Sequence, residues 1–372
     1  MNYESKPDRS RSRLRTAESW NVRTRPSRVF GHTKVILLHA LILTAGALLI
    51  TACDSPAPPL GQWPEAVRVE TMLPEAVQIV QAALADPHPG FRVNAIEVIA
   101  TTGQVRLMPA VQRLLKDPDI RVRFAAASAV GDARYSLAQK DVTQLFYDKD
   151  ENVRIAAAYA TFRLGSAESY DVLLKAIAST DQTVRANAAM LLGRAADKRG
   201  LKTLWWALSR EDSNQNVRLQ AAESIAMLGD EYVLPKAWAT VLSAYADERI
   251  IGIRALGALG TPKAKEILIT KLDDDVLEVR LAAAEQIGAL GDTTGEPEVL
   301  DVFTKNLTSK LRGQDLERAR VLTALAIGRL CTPRLTRMLP GLLSDKSQAV
   351  RLAAAKAVFL CSKGPETEKP PI

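Results

Sequence analysis

Six aspartates stand six residues ahead of an arginine: Asp86/Arg92, Asp117/Arg123, Asp148/Arg154, Asp212/Arg218, Asp274/Arg280 and Asp345/Arg351. A carboxylate and a guanidinium at that spacing could form an acid–base dyad. Repeating one dyad six times along a chain suits architecture better than catalysis. The aspartate can cap a following helix. The arginine can bridge the turn or reach the aspartate of the next unit. We read the twelve residues as a structural ladder. Other chemistry is scarce. The three cysteines (Cys53, Cys331, Cys361) have no CxxC or CxxCH spacing, and of three histidines only His88 lies beyond the N-terminal segment. No P-loop or GxGxxG motif opens a helix after a strand. These residues therefore assign no catalytic group, metal or cofactor.

The elements that position the ladder follow a clock. Its arginines, with their counterparts, fall at Arg92, Arg123, Arg154, Arg185, Arg218, Arg249, Arg280, Arg320 and Arg351, and six of the eight gaps are 31 residues. The other two are 33 and 40. A fixed period of this length is the mark of a repeat architecture. Each unit reads as two helices. The first is amphipathic, as in Leu107–Asp117 with Val111, Leu114 and Leu115 on one face. The second is rich in small residues, as in Val279–Leu290, so neighbours can approach closely. A glycine (Gly131, Gly165, Gly193, Gly229, Gly260 or Gly291) often follows, as at a helix C-terminus. No segment alternates like a strand.

Over roughly residues 74–362 this pattern resembles HEAT repeats, of the short bacterial type related to those of phycobilin lyases. The resemblance implies an all-α superhelical α-solenoid of about nine helix pairs, a curved rod roughly 90 Å long. It also implies a monomer, with ladder residues linking repeats and the second helices lining the concave face. The row five residues after each arginine reads Glu97, Ser128, Tyr159, Met190, Glu223, Arg254, Glu285, Leu325, Lys356, varied among small neighbours. From it we take Tyr159, Met190, Arg254 and Glu285 as candidate partner-binding residues. Trp206 joins them, because earlier repeats carry Arg113, Gln144 and Lys175 there, all polar. Trp205 and Trp238 align with core positions. The long gap around Thr293–Val302 reads as a loop or a lengthened helix that could carry partner contacts. Cys331 and Cys361 occupy nearly equivalent places in adjacent repeats. Parallel helices normally sit too far apart for a disulfide, so we expect two buried free thiols. HEAT-fold hydroxylases use histidine–glutamate pairs, which are missing.

The N-terminal end concerns address. Residues 1–34 hold nine basic and three acidic side chains, and 35–52 hold no charge. From Cys53 onward there are 40 basic and 39 acidic residues, so the net +7 sits almost wholly in the leader. A nearly neutral body argues against a nucleic-acid partner. A basic stretch, an apolar run over Val35–Ala52 and small residues make a secretory signal. Ile50-Thr51-Ala52-Cys53 resembles the lipobox of bacterial lipoproteins, which implies cleavage and acylation at Cys53. The competing reading is an uncleaved signal anchor. Asp54 resembles an inner-membrane retention signal, and a start near Val29 would give a leader of conventional length. The expected organisation is a leader and signal over 1–52, a lipidated proline-rich tether over 53–64, a solenoid over 65–362 and a tail over 363–372. The function expected is a non-catalytic, lipid-anchored scaffold for protein–protein interaction on the periplasmic or exterior side of a bacterial membrane. The alternative is an accessory protein that holds a small ligand or cofactor in the concave face.

Overall fold

The computed structural model describes residues 68–363. The chain divides into two units, 1–34 and 35–372, and the described residues belong to the second. The leader, the signal segment, Cys53 and the tether over 53–64 lie outside the described residues, as does the tail beyond Lys363.

The described residues are helical, with no strand among them, and they form the α-solenoid expected. Nine repeats follow one another. They are α1 (Leu73–Leu84) with α2 (Pro89–Thr102), α3 (Met108–Arg113) with α4 (Ile120–Asp132), and α5 (Gln139–Gln144) with α6 (Glu151–Arg163). Next come α7 (Tyr170–Ala176) with α8 (Gln182–Arg194), α9 (Leu201–Ser209) with α10 (Gln215–Met227), and α11 (Leu234–Thr240) with α12 (Ala246–Leu259). The last three are α13 (Pro262–Thr270) with α14 (Leu277–Ala289), α15 (Glu296–Thr304) with α16 (Gly313–Leu330), and α17 (Pro333–Thr336) and α18 (Leu339–Leu343) with α19 (Gln348–Cys361). The first helix of each repeat lies outside and the second lies inside. The inner helices bury most of their middle turns. In α4, for example, Val122 through Gly131 are all buried. Alanine dominates such helices because a small side chain lets two backbones approach with no void between them.

The ladder holds successive repeats in register. Arg92 bonds Asp117 at 2.8 Å, Arg123 bonds Asp148 at 2.7 Å, Arg185 bonds Asp212 at 3.0 Å, Arg249 bonds Asp274 at 2.9 Å and Arg320 bonds Asp345 at 3.1 Å. Arg92, Arg123, Arg185 and Arg249 also donate backwards to carbonyls of their own turn, as Arg123 does to Asp117 O at 2.9 Å. Arg154, Arg280 and Arg351 likewise hold the carbonyls of Asp148, Asp274 and Asp345. Arg280 has Glu298 as its ion-pair partner, at 3.1 Å. Arg218 turns back to the carbonyls of Arg210 and Glu211. The ladder aspartates do not cap the second helices. Five of the six accept the N–H two residues on, as Asp86 does from His88, Asp117 from Asp119 and Asp345 from Ser347, while Asp212 accepts from Arg185 and Arg210. That next residue is the cap: His88, Asp119, Asp150 and Ser347 each accept from the first turn of the inner helix. The cap must sit at the residue where the backbone leaves extended geometry, and the ladder carboxylate lies two residues too early.

The rod expected from the repeat count is instead a ring. The last inner helix, α19, packs against α16 on one side and against both α1 and α2 on the other. At this seam Gly103, just past α2, lies against Lys363, just past α19. Each repeat is a wedge, with alanine-rich inner helices and outer helices that carry bulky Tyr170, Trp205 and Leu268. A turn of about 40° per repeat, summed over nine repeats, returns the last to the first.

The glycines divide in two. Gly165, Gly229, Gly260 and Gly291 take positive φ just past an inner helix, as expected. Gly131 and Gly193 do not end a helix. They lie within α4 and α8, where a Cβ would stand 2.6 Å from the Tyr159 ring and 2.7 Å from Ser224. Here glycine serves helix packing.

Cys331 and Cys361 form a disulfide, against the expectation of free thiols. Two features bring the Cα atoms to 5.3 Å. Gly328 lets Ala357 of α19 press against α16, where a Cβ would stand 2.7 Å from Ala357 Cα. Cys331 then turns out of the helix with φ +49°, aiming its sulfur at the neighbour.

Candidate functional site

Closure changes what the concave face is. It becomes the wall of a cavity of about 650 Å³, lined by α2, α10, α12, α14, α16 and α19. The lining runs from the helix starts, where Gln215, Asp247 and Arg318 stand, to their ends at Thr101, Met227 and Arg329. Arg318 lies on the stretch of α16 made available by the 40-residue gap, and its guanidinium pairs with Asp247 on α12 across the intervening α14. The insertion thus supplies a contact within the ring. The segment expected to be a loop or longer helix is in part the outer helix α15.

The variable row runs around this wall. Glu97, Glu223, Arg254, Glu285, Leu325 and Lys356 line the cavity. Arg254 pairs with Glu223, Nε to Oε1 at 3.3 Å. Glu97 and Lys356 are each only 7% exposed. Burial pushes the Glu97 carboxyl above its ordinary range, while Lys356, Arg194 and Arg254 pull it back. Leu219, Leu322 and Leu325 make the wall apolar between the charges.

Two of the candidate partner-binding residues are not available to a partner. Tyr159 is fully buried and Met190 is 4% exposed. On this side of the ring α4, α6 and α8 pack together and fill the space where their row points. Tyr159 donates to Asp132 Oδ1 at 2.5 Å, and Asp132 is in turn ion-paired with Arg194. The guanidinium groups of Arg163 and Arg194 lie 6.0 and 5.8 Å from the Tyr159 ring centre. Burial raises the Tyr159 hydroxyl to about 12 and lowers Arg194 to about 10, so both keep their protons at neutral pH. Nothing in the residue pattern foretells this cluster beyond the aspartate and arginines that end three successive inner helices.

Arg254 and Glu285 do reach the cavity. Trp206 lies on the outer helix α9, 38% exposed, with Arg210 4.8 Å and Arg185 5.8 Å from its ring. Trp205 is partly buried and donates to Asp230 at 2.9 Å. Trp238, expected in the core, is 53% exposed. Ala237 is the one buried residue of α11, flanked by buried Val233 and Val241, and Gly252 of α12 packs directly against Val241, so the inward face here is made of small side chains and Trp238 points away from it. Trp238 near the end of α11, Leu242 in the turn that follows and Tyr245 at the start of α12 are all exposed. Among the described residues no group of three or more His, Cys, Asp or Glu could hold a metal ion, and no helix is long and apolar enough to cross a membrane.

No curated protein matches the chain. Among solved structures it is similar to human deoxyhypusine hydroxylase in complex with glycerol: 18% identity, 71% of this chain and 99% of that one, TM-score 0.35. It is also similar to the complex of CpcE and CpcF of phycocyanin lyase from Nostoc sp. PCC7120: 20% identity, 69% and 94% covered, TM-score 0.38. A third is importin beta: 15% identity, 78% and 47% covered, TM-score 0.33. The HEAT repeats family matches residues 76–162, 170–251 and 238–319, more than half of the sequence, and the chain belongs to that family.

Proposed function

We propose that this chain is a non-catalytic binding protein, lipid-anchored through Cys53 on the extracytoplasmic side of a bacterial membrane, that holds a small ligand inside its ring. The observation that carries the binding reading is closure: α19 on α1 and α2 turns an open groove into a chamber of about 650 Å³ with charged groups converging from several helices. That volume and its mixture of apolar wall with a few charges are typical of small-molecule sites. The non-catalytic part rests on composition. The one histidine of the described residues, His88, caps α2 and does not line the cavity. The address rests on the lipobox-like Ile50–Cys53, with Asp54 favouring the inner membrane. The Cys331–Cys361 disulfide agrees with it, since such bonds persist in oxidising compartments.

Native mass spectrometry of the full-length protein purified from its own membranes tests both halves. Acyl chains on Cys53 and a bound small molecule are the expected result. A leader still attached to an unmodified Cys53 overturns the anchor. A ring that never carries or takes up a small molecule overturns the cavity reading.

A scaffold reading draws on a different observation. Between the end of α11 and the start of α12, Trp238, Leu242 and Tyr245 are 53%, 65% and 70% exposed, and exposed aromatic side chains are common anchors of protein interfaces. Under that reading a protein partner crosslinks to α11, and Trp238→Ala abolishes the crosslink.

A further inference from the structure

Glu97, Glu285 and Lys356 come from three helices, α2, α14 and α19, and all line the cavity. Glu97 and Lys356 are more than nine-tenths buried. Among the described residues no hydrogen bond or close ion pair reaches the carboxylate of Glu97 or Glu285 or the ammonium of Lys356. Their row neighbour Arg254 is different, being engaged with Glu223. The charged ends of Glu97, Glu285 and Lys356 open into the cavity, and charges set in a largely apolar wall are met there by polar groups of whatever occupies it.

The two signs narrow the occupant. A simple amine would satisfy the carboxylates and leave Lys356 without an acceptor. A simple carboxylic acid would satisfy Lys356 and leave Glu97 without a donor. The wall beside them is apolar at Leu219, Leu322 and Leu325. Resting on the cavity reading above, we propose that Glu97, Glu285 and Lys356 form the head-group site for a small zwitterion, an α-amino acid with an apolar side chain. Its ammonium lies between the two glutamates, its carboxylate meets Lys356, and its side chain covers the leucine wall.

Closure and occupancy are then linked. Glu97 belongs to the first repeat and Lys356 to the last, so one ligand touching both spans the seam. Bound ligand holds the ring shut, and the apo protein opens there more readily.

Matched probes test the assignment by titration calorimetry on the full-length protein. The three are leucine, 3-methylbutylamine (leucine without its carboxylate) and 4-methylpentanoate (leucine without its amine). Leucine binds saturably, and each truncated probe binds at least about tenfold more weakly, because a buried polar group loses its partner. Glu97→Gln weakens leucine and the amine but not the acid, and Lys356→Met weakens leucine and the acid but not the amine. Circular dichroism confirms that both variants fold. Equal binding of either truncated probe, or leucine binding indifferent to both substitutions, overturns the proposal. A different, non-zwitterionic molecule found in the native protein also overturns it while leaving the cavity reading intact. A cavity that takes up nothing removes both.

Discussion

Glu97 on the first inner helix and Lys356 on the last face one cavity, and Lys356 is the strongest cationic influence on the Glu97 carboxyl. Residues from opposite ends of the repeat array meet only because the array closes. The pair therefore reports on the ring as well as on the site.

Stability should respond to pH through Glu97. Burial raises its pKa in the folded protein, so the native state holds that proton more tightly than the unfolded chain. A raised acid costs stability as pH climbs from the unfolded value, about 4.3, through the folded one. Glu97→Gln removes this cost. Melting temperature measured from acid to neutral pH should fall less steeply for the variant, which should be at least as stable as wild type at pH 7. A variant clearly less stable at pH 7 would mean the folded ring requires the ionised carboxylate.

The ladder pair Arg123–Asp148 has the opposite sign. Burial alone would raise Asp148, but hydrogen bonds from Arg123 and the Asp150 N–H outweigh it and hold the carboxyl below its ordinary value. Its contribution is present above the unfolded carboxyl pKa and lost as pH falls through the lower folded one. Arg123→Ala strands a buried carboxylate and should cost about 3 kcal/mol in urea unfolding. Arg123→Lys should recover only part, since a lysine cannot make both the Nε and Nη2 bonds.

Gly131 has no room for a methyl group. Gly131→Ala drives a Cβ into the Tyr159 ring and the Ala160 backbone, and should cost about 1–3 kcal/mol. Alanine is the better helix former, so propensity alone predicts a gain. Thermal melts of the variant decide between the two.

Breaking Cys331–Cys361 should lower stability by about 3.5 kcal/mol on the chain-entropy account of a 30-residue loop. The double variant Cys331→Ser/Cys361→Ser and reduced wild type should melt alike. A reductant that leaves the wild-type melting curve unmoved would show that the bond constrains nothing.

Much of this architecture was legible one residue at a time. The period of the arginines gave the repeat, the small residues gave the inner helices, and the Asp–Arg spacing gave the ladder. All are local signals, set by helical periodicity and by turns a few residues long. Even so, the caps were misplaced by two residues, because ladder aspartate and cap aspartate look alike until the backbone shows which one precedes the first helical turn. The fate of each row member was less legible. Tyr159 and Glu285 hold equivalent positions, yet one is sealed between three packed helices and the other lines a cavity.

What the sequence determined by itself is the unit: two helices, their packing faces and the arginine that ties each unit to the next. What only the tertiary structure decided is the angle between units. That angle depends on side-chain volumes at contacts such as Gly328 on Ala357 and Gly131 on Tyr159, each between neighbouring inner helices. A small change per repeat, multiplied by nine, separates an open rod from a ring. The meeting of Glu97 with Lys356, and the cavity they share, follow from that sum and from no single residue.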